Sequence, residues 1–172
     1  MKRFRRSNLD FEFRRIVAAG LSTARKQVLV VTGEFSAFSN YIDLQWAVRE
    51  AAMRGVDFRI YSNSFLPGIA RKLMRWGCKL YTGDQRVDDH FMVVDGEYVV
   101  VSKAHPPGTV GERHGLVTRR GASRYALIFR RLVSKSRRIT RVAGPDPLEE
   151  WLSNPVDLGA RTNGARIDLD MY

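Results

Sequence analysis

Cysteine is nearly absent from this sequence, because Cys78 is the only one among 172 residues. A single cysteine excludes an intrachain disulfide and a metal site built from several thiolates, and it is typical of a reducing compartment. Long apolar segments are also missing, since no run approaches the about 20 residues that a membrane-spanning helix needs. Asp10 and Glu12 interrupt the start of the chain, where a signal peptide would be apolar. We therefore expect a cytoplasmic protein without a membrane segment.

Acidic residues are outnumbered: the chain has 18 Asp or Glu and 29 Lys or Arg, which gives a formal net charge of +11 at pH 7. The imbalance is greatest over residues 113–141, where no acidic residue occurs. The basic residues of this interval are Arg113, Arg119, Arg120, Arg124, Arg130, Arg131, Lys135, Arg137, Arg138 and Arg141. A basic surface can serve solubility alone, but charge concentrated in one interval favours a polyanionic partner.

Apolar residues make up 44% of the sequence, which is enough for one sizeable core but not for two full domains. Their spacing alternates between helical and extended patterns. The spacing predicts helices over residues 8–26, 40–54, 67–76 and 123–134, and strands over 28–31, 56–61, 78–81, 91–94, 98–101 and 115–118. This order predicts a single α/β domain over residues 1–145.

The composition changes beyond Pro145, where six acidic residues accompany two arginines and the apolar periodicity is weak. We predict that residues 146–172 form a C-terminal tail. In one interpretation the tail is a surface strap anchored by Trp151, because an exposed tryptophan usually packs against something. In the other, its acidic residues fold back over the basic region or contact a partner subunit.

Residues 88–102 carry the most informative pattern, an apolar run, a hairpin turn over 95–97 and a second apolar run. This stretch resembles the signature of the phospholipase D superfamily, His-x-Lys-x4-Asp followed by glycine and a second strand. Residues 55–60 and 76–81 resemble two segments found upstream in that family, so the resemblance covers roughly residues 10–135. It implies one domain with a phospholipase-D-like mixed β-sheet flanked by helices.

The alignment puts Asp88 at the family's nucleophilic histidine, His90 at its lysine and Asp95 at its aspartate. Lys103 falls at the family's serine, and His105 falls near its asparagine. The family's reaction needs an imidazole nitrogen that attacks phosphorus and a lysine that neutralises the phosphoryl oxygens. Two of these three positions differ here, so the resemblance implies a degenerate catalytic site at Asp88, His90, Asp95 and His105.

An alternative is an active phosphodiesterase or nuclease with a rearranged site, in which Asp88, His90, Lys103 or His105 has taken over the lost roles. We expect no cofactor. The three histidines, His90, His105 and His114, could join in a metal site, but their separation in sequence does not favour one, and we expect no metal.

The candidate phosphate ligands are basic residues near the motif and on the last predicted helix. Lys103 lies beside the motif, and Arg113, Arg119 and Arg120 lie on or next to the strand that follows it. Arg124, Arg131 and Lys135 recur at spacings of seven and four, which makes a stripe along one side of a helix. The alternative for this stripe is a solvated helix face.

The sequence therefore predicts a binding module for nucleic-acid backbone, most simply DNA, without sequence readout. The family builds one active site from two motifs, and this chain contains a single motif. The resemblance therefore implies a homodimer with two-fold symmetry.

Overall fold

The computed structural model describes residues 6–35, 42–103, 116–118 and 121–143. The helices of this part of the chain are α1 Arg6–Thr23, α2 Ile42–Met53, α3 Pro67–Arg75 and α4 Ala122–Ser134. Its strands are β1 Gln27–Phe35, β2 Asp57–Phe65, β3 Lys79–Thr82, β4 Asp89–Val94, β5 Tyr98–Lys103, β6 Leu116–Thr118 and β7 Arg137–Ile139. Every helix and strand predicted from the spacing is present, and the α/β fold class is confirmed.

One seven-stranded mixed sheet contains all of these strands in the order β6-β5-β4-β1-β2-β3-β7. Strands β1, β2 and β3 are parallel, because helices α2 and α3 return the chain to the same end of the sheet after each strand. Strand β4 enters antiparallel to β1, and β5 and β6 follow antiparallel at that side. The carboxyl ends of β1 to β3 therefore lie beside the beginning of β4.

Helices cover both faces of the sheet, so each central strand buries alternate residues on opposite sides. We call the two sides the three-helix face and the α4 face. The three-helix face packs Val28, Phe58, Ile60 and Leu80 of the strands against Leu21, Val48 and Leu73 of α1, α2 and α3. The α4 face packs Leu29, Val31, Tyr61 and Phe91 against Ala122 and Phe129 of α4.

Strand β7 was not predicted, and the expectation that α4 is the last element of the domain was wrong. It pairs antiparallel with the outer edge of β3, with Ile139 opposite Leu80 and Arg138 opposite Tyr81. Three residues, two of them arginine, are too few for a period-two pattern to appear in the sequence. The strand forms because it can pair with the open edge of β3, so its formation depends on tertiary structure.

Asp57 ties the amino ends of the three parallel strands together. Its carboxylate accepts hydrogen bonds from Arg59 Nε at 2.8 Å, Lys79 Nζ at 2.7 Å and Gln27 Nε2 at 3.1 Å. Partial burial raises the pKa of Asp57, but the hydrogen bonds from the two cations and the amide outweigh it and hold the pKa well below its usual range.

The hairpin between β4 and β5 is anchored at the same end of the sheet by Asp95. Both central residues of the turn have positive φ, 52° at Asp95 and 71° at Gly96, as a type I′ turn requires. The Asp95 carboxylate accepts the backbone N–H groups of Arg25, Lys26 and Gln27 at 2.8 to 2.9 Å. The turn and the loop that enters β1 are thereby held together.

The described residues belong, apart from Ala143, to one compact unit, Met1–Val142, and the second unit is Ala143–Tyr172. The predicted domain boundary at residue 145 and the predicted tail with Trp151 lie outside the described residues and stay predictions. Within the described ranges, no helix combines the length and the apolar character needed to cross a membrane.

Replacement of Asp95 by Asn tests the anchor, because asparagine tolerates positive φ but cannot offer a charged acceptor to three N–H groups. We expect a loss of about 1–3 kcal/mol in the free energy of unfolding at pH 7. Partial burial raises the pKa of Asp95, but the three backbone donors outweigh it and lower the pKa. The difference from wild type should therefore be full above about pH 4 and vanish as the pH falls through the lowered pKa.

Urea denaturation of both proteins at several pH values measures this difference, with Glu97→Gln at the exposed third turn residue as the control. Equal midpoints for Asp95→Asn and wild type at pH 7 would show that the carboxylate does not hold the hairpin.

Candidate functional site

A row of polar side chains crosses the sheet at the carboxyl ends of the parallel strands. Residues paired across neighbouring strands point to the same face, so each pairing adds one member to the row. Thr82 pairs with Ser62, Ser62 with Thr32, and His90 with Ser102. A hydrogen bond of 3.0 Å between Thr32 Oγ1 and His90 Nδ1 joins the two halves. We call Thr82, Ser62, Thr32, His90 and Ser102 the polar row.

The polar row lies on the three-helix face, because His90 alternates along β4 with Met92 and Val94 of that core. Ser62 and Ser102 are buried, and His90 is half-buried. Arg137 of β7 pairs with Thr82 and extends the row to the edge of the sheet with an exposed cation. The row therefore combines hydroxyl groups, one imidazole and one guanidinium, all of which can bind oxyanions.

Thr32 sets the orientation of the His90 ring by its contact with Nδ1. Either atom can donate this hydrogen bond, because the roles of the two ring nitrogens depend on the tautomer. His90 thus lies at the beginning of β4 and beside the carboxyl end of β1.

Asp88 immediately precedes β4 at the same end of the sheet. It forms an ion pair with Arg86, with Oδ1 2.7 Å from Nε, and the two side chains are 72% and 90% exposed. Because water surrounds the pair, its contribution to stability is small. Asp88, which the sequence resemblance matched to a nucleophilic histidine, is therefore an exposed carboxylate beside an arginine.

Asp95 lies at the opposite end of β4 from Asp88 and His90. Five residues of extended strand separate Asp95 from His90, a distance of about 16 Å. Its carboxylate is engaged with the three backbone N–H groups described above. The structure thus brings Asp88 and His90 together and keeps Asp95 apart from them, as an anchor of the hairpin.

The loop over residues 83–88 is fastened by polar residues that the sequence did not single out. Asn63 Nδ2 donates to the carbonyl oxygens of Gly83 at 2.6 Å and Gln85 at 2.9 Å. The Tyr61 hydroxyl donates to Gln85 Oε1 at 2.7 Å, and Gln85 Nε2 donates to the Lys135 carbonyl at 3.0 Å. Burial, the largest effect, raises the pKa of Tyr61. These contacts hold the loop at Gly83 and Gln85 and connect it to the end of α4.

The second feature is a basic surface on the segment 121–143, which contains no Asp or Glu. All of its basic side chains are exposed, and we call them the α4–β7 basic surface: Arg124, Arg130, Arg131, Lys135, Arg137, Arg138 and Arg141. Helix α4 buries Ala122 and Phe129 against the sheet. The stripe Arg124, Arg131 and Lys135 consequently runs along the outward side of the helix.

The basic stripe and His90 lie on opposite sides of the sheet, since α4 covers the face that the polar row does not occupy. Tyr125 of α4 donates a hydrogen bond of 3.3 Å to Asp89, whose side chain alternates with that of His90. The side chain of Lys103 and the residues His105, Arg113, Arg119 and Arg120 lie outside the described residues, so their predicted roles stay predictions. In the described ranges, no cluster of three or more His, Cys, Asp or Glu residues could hold a metal ion.

Comparison of the sequence with known proteins gives no match, either to a family model or to a curated protein. Comparison of the structure does give matches. The chain is similar to Nuc from Salmonella typhimurium, a phospholipase D family member, with a TM-score of 0.57 and 19% identity. That match covers 74% of this chain and 91% of Nuc.

Two further structures match comparably. NucT from Helicobacter pylori has a TM-score of 0.54 and 11% identity, over 73% of this chain and 90% of NucT. TrmBL2, an archaeal chromatin protein whose structure shows a novel mode of DNA binding, has a TM-score of 0.58 and 18% identity. This chain matches TrmBL2 over 74% of its own length and 51% of the length of TrmBL2. Together with the hairpin at residues 88–102, these likenesses show that the chain has a phospholipase-D-like fold.

Proposed function

We propose that this protein is a catalytically degenerate phospholipase-D-like protein that binds the phosphodiester backbone of nucleic acid, in the first place DNA. The observation that carries the proposal is the α4–β7 basic surface, in which every Lys and Arg side chain is exposed and no acidic residue intervenes. DNA binding by TrmBL2, which shares the fold, is consistent with it.

The physical basis of binding is counterion release, because each phosphate that a cation neutralises frees condensed salt ions from the nucleic acid. Arginine predominates on this surface, and its planar guanidinium can donate two parallel hydrogen bonds to one phosphate. Contacts of this kind fix position along the backbone but carry no sequence information. Affinity for unrelated sequences should therefore be similar.

Degeneracy of the catalytic site is supported by Asp88 and by the setting of His90. The exposed Asp88 carboxylate adds negative charge where a phosphodiester would have to approach. No histidine stands at that position to form a phosphohistidine. His90 replaces a lysine, so a permanent positive charge beside the phosphoryl oxygens is missing as well.

A second candidate function is a phosphodiesterase or nuclease with a rearranged site built from Asp88, His90, Lys103 or His105. The observation that favours it is the polar row, in which His90 stands between the hydroxyl groups of Thr32 and Ser102. Hydroxyl groups and an imidazole are sufficient for general acid and base catalysis if a nucleophile is supplied.

An assay of phosphodiester hydrolysis distinguishes the binding module from the enzyme. We expect no metal-independent turnover of bis(p-nitrophenyl) phosphate, or of single- or double-stranded DNA, because the nucleophile of the family reaction is missing. Turnover that disappears in Asp88→Ala and in His90→Ala, but persists in the exposed-turn variant Glu97→Ala, would establish the enzyme and overturn the binding module.

A homodimer is the second part of the proposal, with the motif-bearing edges of two subunits meeting about a two-fold axis so that both sites share one groove. The proposal of a homodimer is supported by the presence of a single motif, residues 88–102, in the chain. We expect light scattering to give twice the mass of the chain at micromolar concentrations, and a strict monomer would remove the shared groove. Helix α2 also exposes Ile42, Trp46 and Met53, so a dimer that is lost in Trp46→Glu would assign the contact to α2 instead.

Salt dependence tests the binding surface directly. If roughly five phosphates are neutralised, log affinity for duplex DNA plotted against log salt should have a slope of about −4 to −5. Replacing Arg124, Arg131 and Lys135 together by Ala should flatten this slope by up to about 3 units, because each lost contact removes close to one released ion. Fluorescence anisotropy titrations at several salt concentrations provide both slopes.

The matched control replaces Arg25, Lys26 and Lys72 by Ala, which removes the same charge from exposed positions outside the α4–β7 basic surface. This control should lower affinity slightly through the net charge and leave the slope unchanged. No binding at low salt, or equal slopes for the two triple variants, would mean that the basic stripe is a solvated helix face.

A further inference from the structure

We infer that the α4–β7 basic surface is a site for double-stranded rather than single-stranded nucleic acid. This inference rests on the proposed function and specifies its ligand. Three properties of the surface support it: the path of α4 across the sheet, the spacing of its cations and the inward orientation of its aromatic side chains.

Helix α4 crosses the sheet and continues into β7, so the surface is one continuous ridge. Near its start, the Tyr125 ring contacts Phe91 of β4, with ring centroids 4.8 Å apart. One turn later, Phe129 contacts Tyr81 of β3 edge to face, with centroids 6.4 Å apart. Strand β7 then pairs with β3. The outward stripe therefore runs from above β4 to the edge of the sheet on a helix that packing holds in place.

The cations along this ridge extend over about 16 Å of the helix axis, with further arginines beside them. A rise of 1.5 Å per residue separates Arg124 from Arg131 by about 10 Å and Arg131 from Lys135 by about 6 Å along the helix axis. Arg130 of the same helix and Arg138 of β7, which points to the α4 face, add charge beside this stripe. A duplex presents two rows of phosphates, one charge per about 1.7 Å of its axis, and can engage both the stripe and the flanking arginines. A single strand offers one row only.

The aromatic side chains of the ridge are turned away from solvent. Tyr125 is half-buried against β4, and Phe129 is 2% exposed. Proteins that bind single strands stack bases on exposed aromatic rings, which supply much of the affinity. In the part of the surface that the structure describes, residues 121–143, the exposed large apolar side chain is Leu127, which cannot stack with a base in this way.

Shape favours the same ligand. A helix packed on a sheet presents a convex ridge with a diameter of about 10–12 Å, and the major groove of a B-form duplex is about 12 Å wide. Leu127 lies three residues after Arg124 and four before Arg131, on the crest of the ridge. Its side chain carries no charge that would repel phosphate and no amide group that could form hydrogen bonds with a base. Bound phosphates would then flank the crest on both sides.

The test is a pair of anisotropy titrations with a labelled DNA of about 20 nucleotides, once as a single strand without self-complementarity and once annealed to its complement, between about 50 and 200 mM salt. We expect the duplex to bind at least about tenfold more tightly at the lowest salt, with a slope of about −4 to −5 against about −2 for the single strand. The Arg124, Arg131 and Lys135 triple variant should lose most of this preference, and the Arg25, Lys26 and Lys72 control should keep it.

The outcomes separate this inference from the proposed function. Equal or tighter binding of the single strand, with the triple variant still weakened, would overturn the duplex site and leave backbone binding by this surface in place. A duplex preference that survives in the triple variant would overturn the assignment to α4. Failure to bind either DNA would overturn the proposed function and the duplex site together.

Discussion

The hydrogen bonds between the Asp95 carboxylate and three successive N–H groups at the start of β1 determine how the rest of the site is arranged. They hold the β4–β5 hairpin against β1 at one end, where Val94 pairs with Val28. From that point the pairing runs residue by residue to the far end, where His90 meets Thr32. A slip of one residue would turn His90 to the opposite face of the sheet. An aspartate about 16 Å away thus fixes which side of the molecule the histidine faces.

The sequence was sufficient to predict the elements from α1 to α4, because their apolar spacing and their turn residues agree with the tertiary structure. It was also sufficient to predict that Asp88 and His90 lie near each other, because they are two residues apart in the chain. Strand β7 could not be predicted, because it depends on the open edge of β3 rather than on its own three residues. The role of Asn63 could not be predicted for a similar reason, because the carbonyl groups that it binds belong to a loop some 20 residues later.

The polar row could not be predicted from the sequence either. Thr32, Ser62 and Thr82 lie near the ends of three separate strands, and only the register between the strands brings them to one level. The sequence motif grouped Asp95 with Asp88 and His90, because a motif describes only the spacing of residues along the chain. The strand that joins them carries Asp95 to the other end of the sheet, where its task is structural.

The fold keeps the polar row and the basic stripe of α4 on opposite faces of one sheet. His90 lies at the beginning of β4, on the side of α1, α2 and α3. The arginines of α4 stand on the other side, on a helix held by the packing of Tyr125 against Phe91 and of Phe129 against Tyr81. At β7 the two faces meet at the edge of the sheet, where Arg137 extends the polar row and Arg138, the next residue, points to the α4 face. At its other end, α4 reaches the beginning of β4 through the hydrogen bond from Tyr125 to Asp89, so this one helix spans the α4 face from the start of β4 to the edge of the sheet.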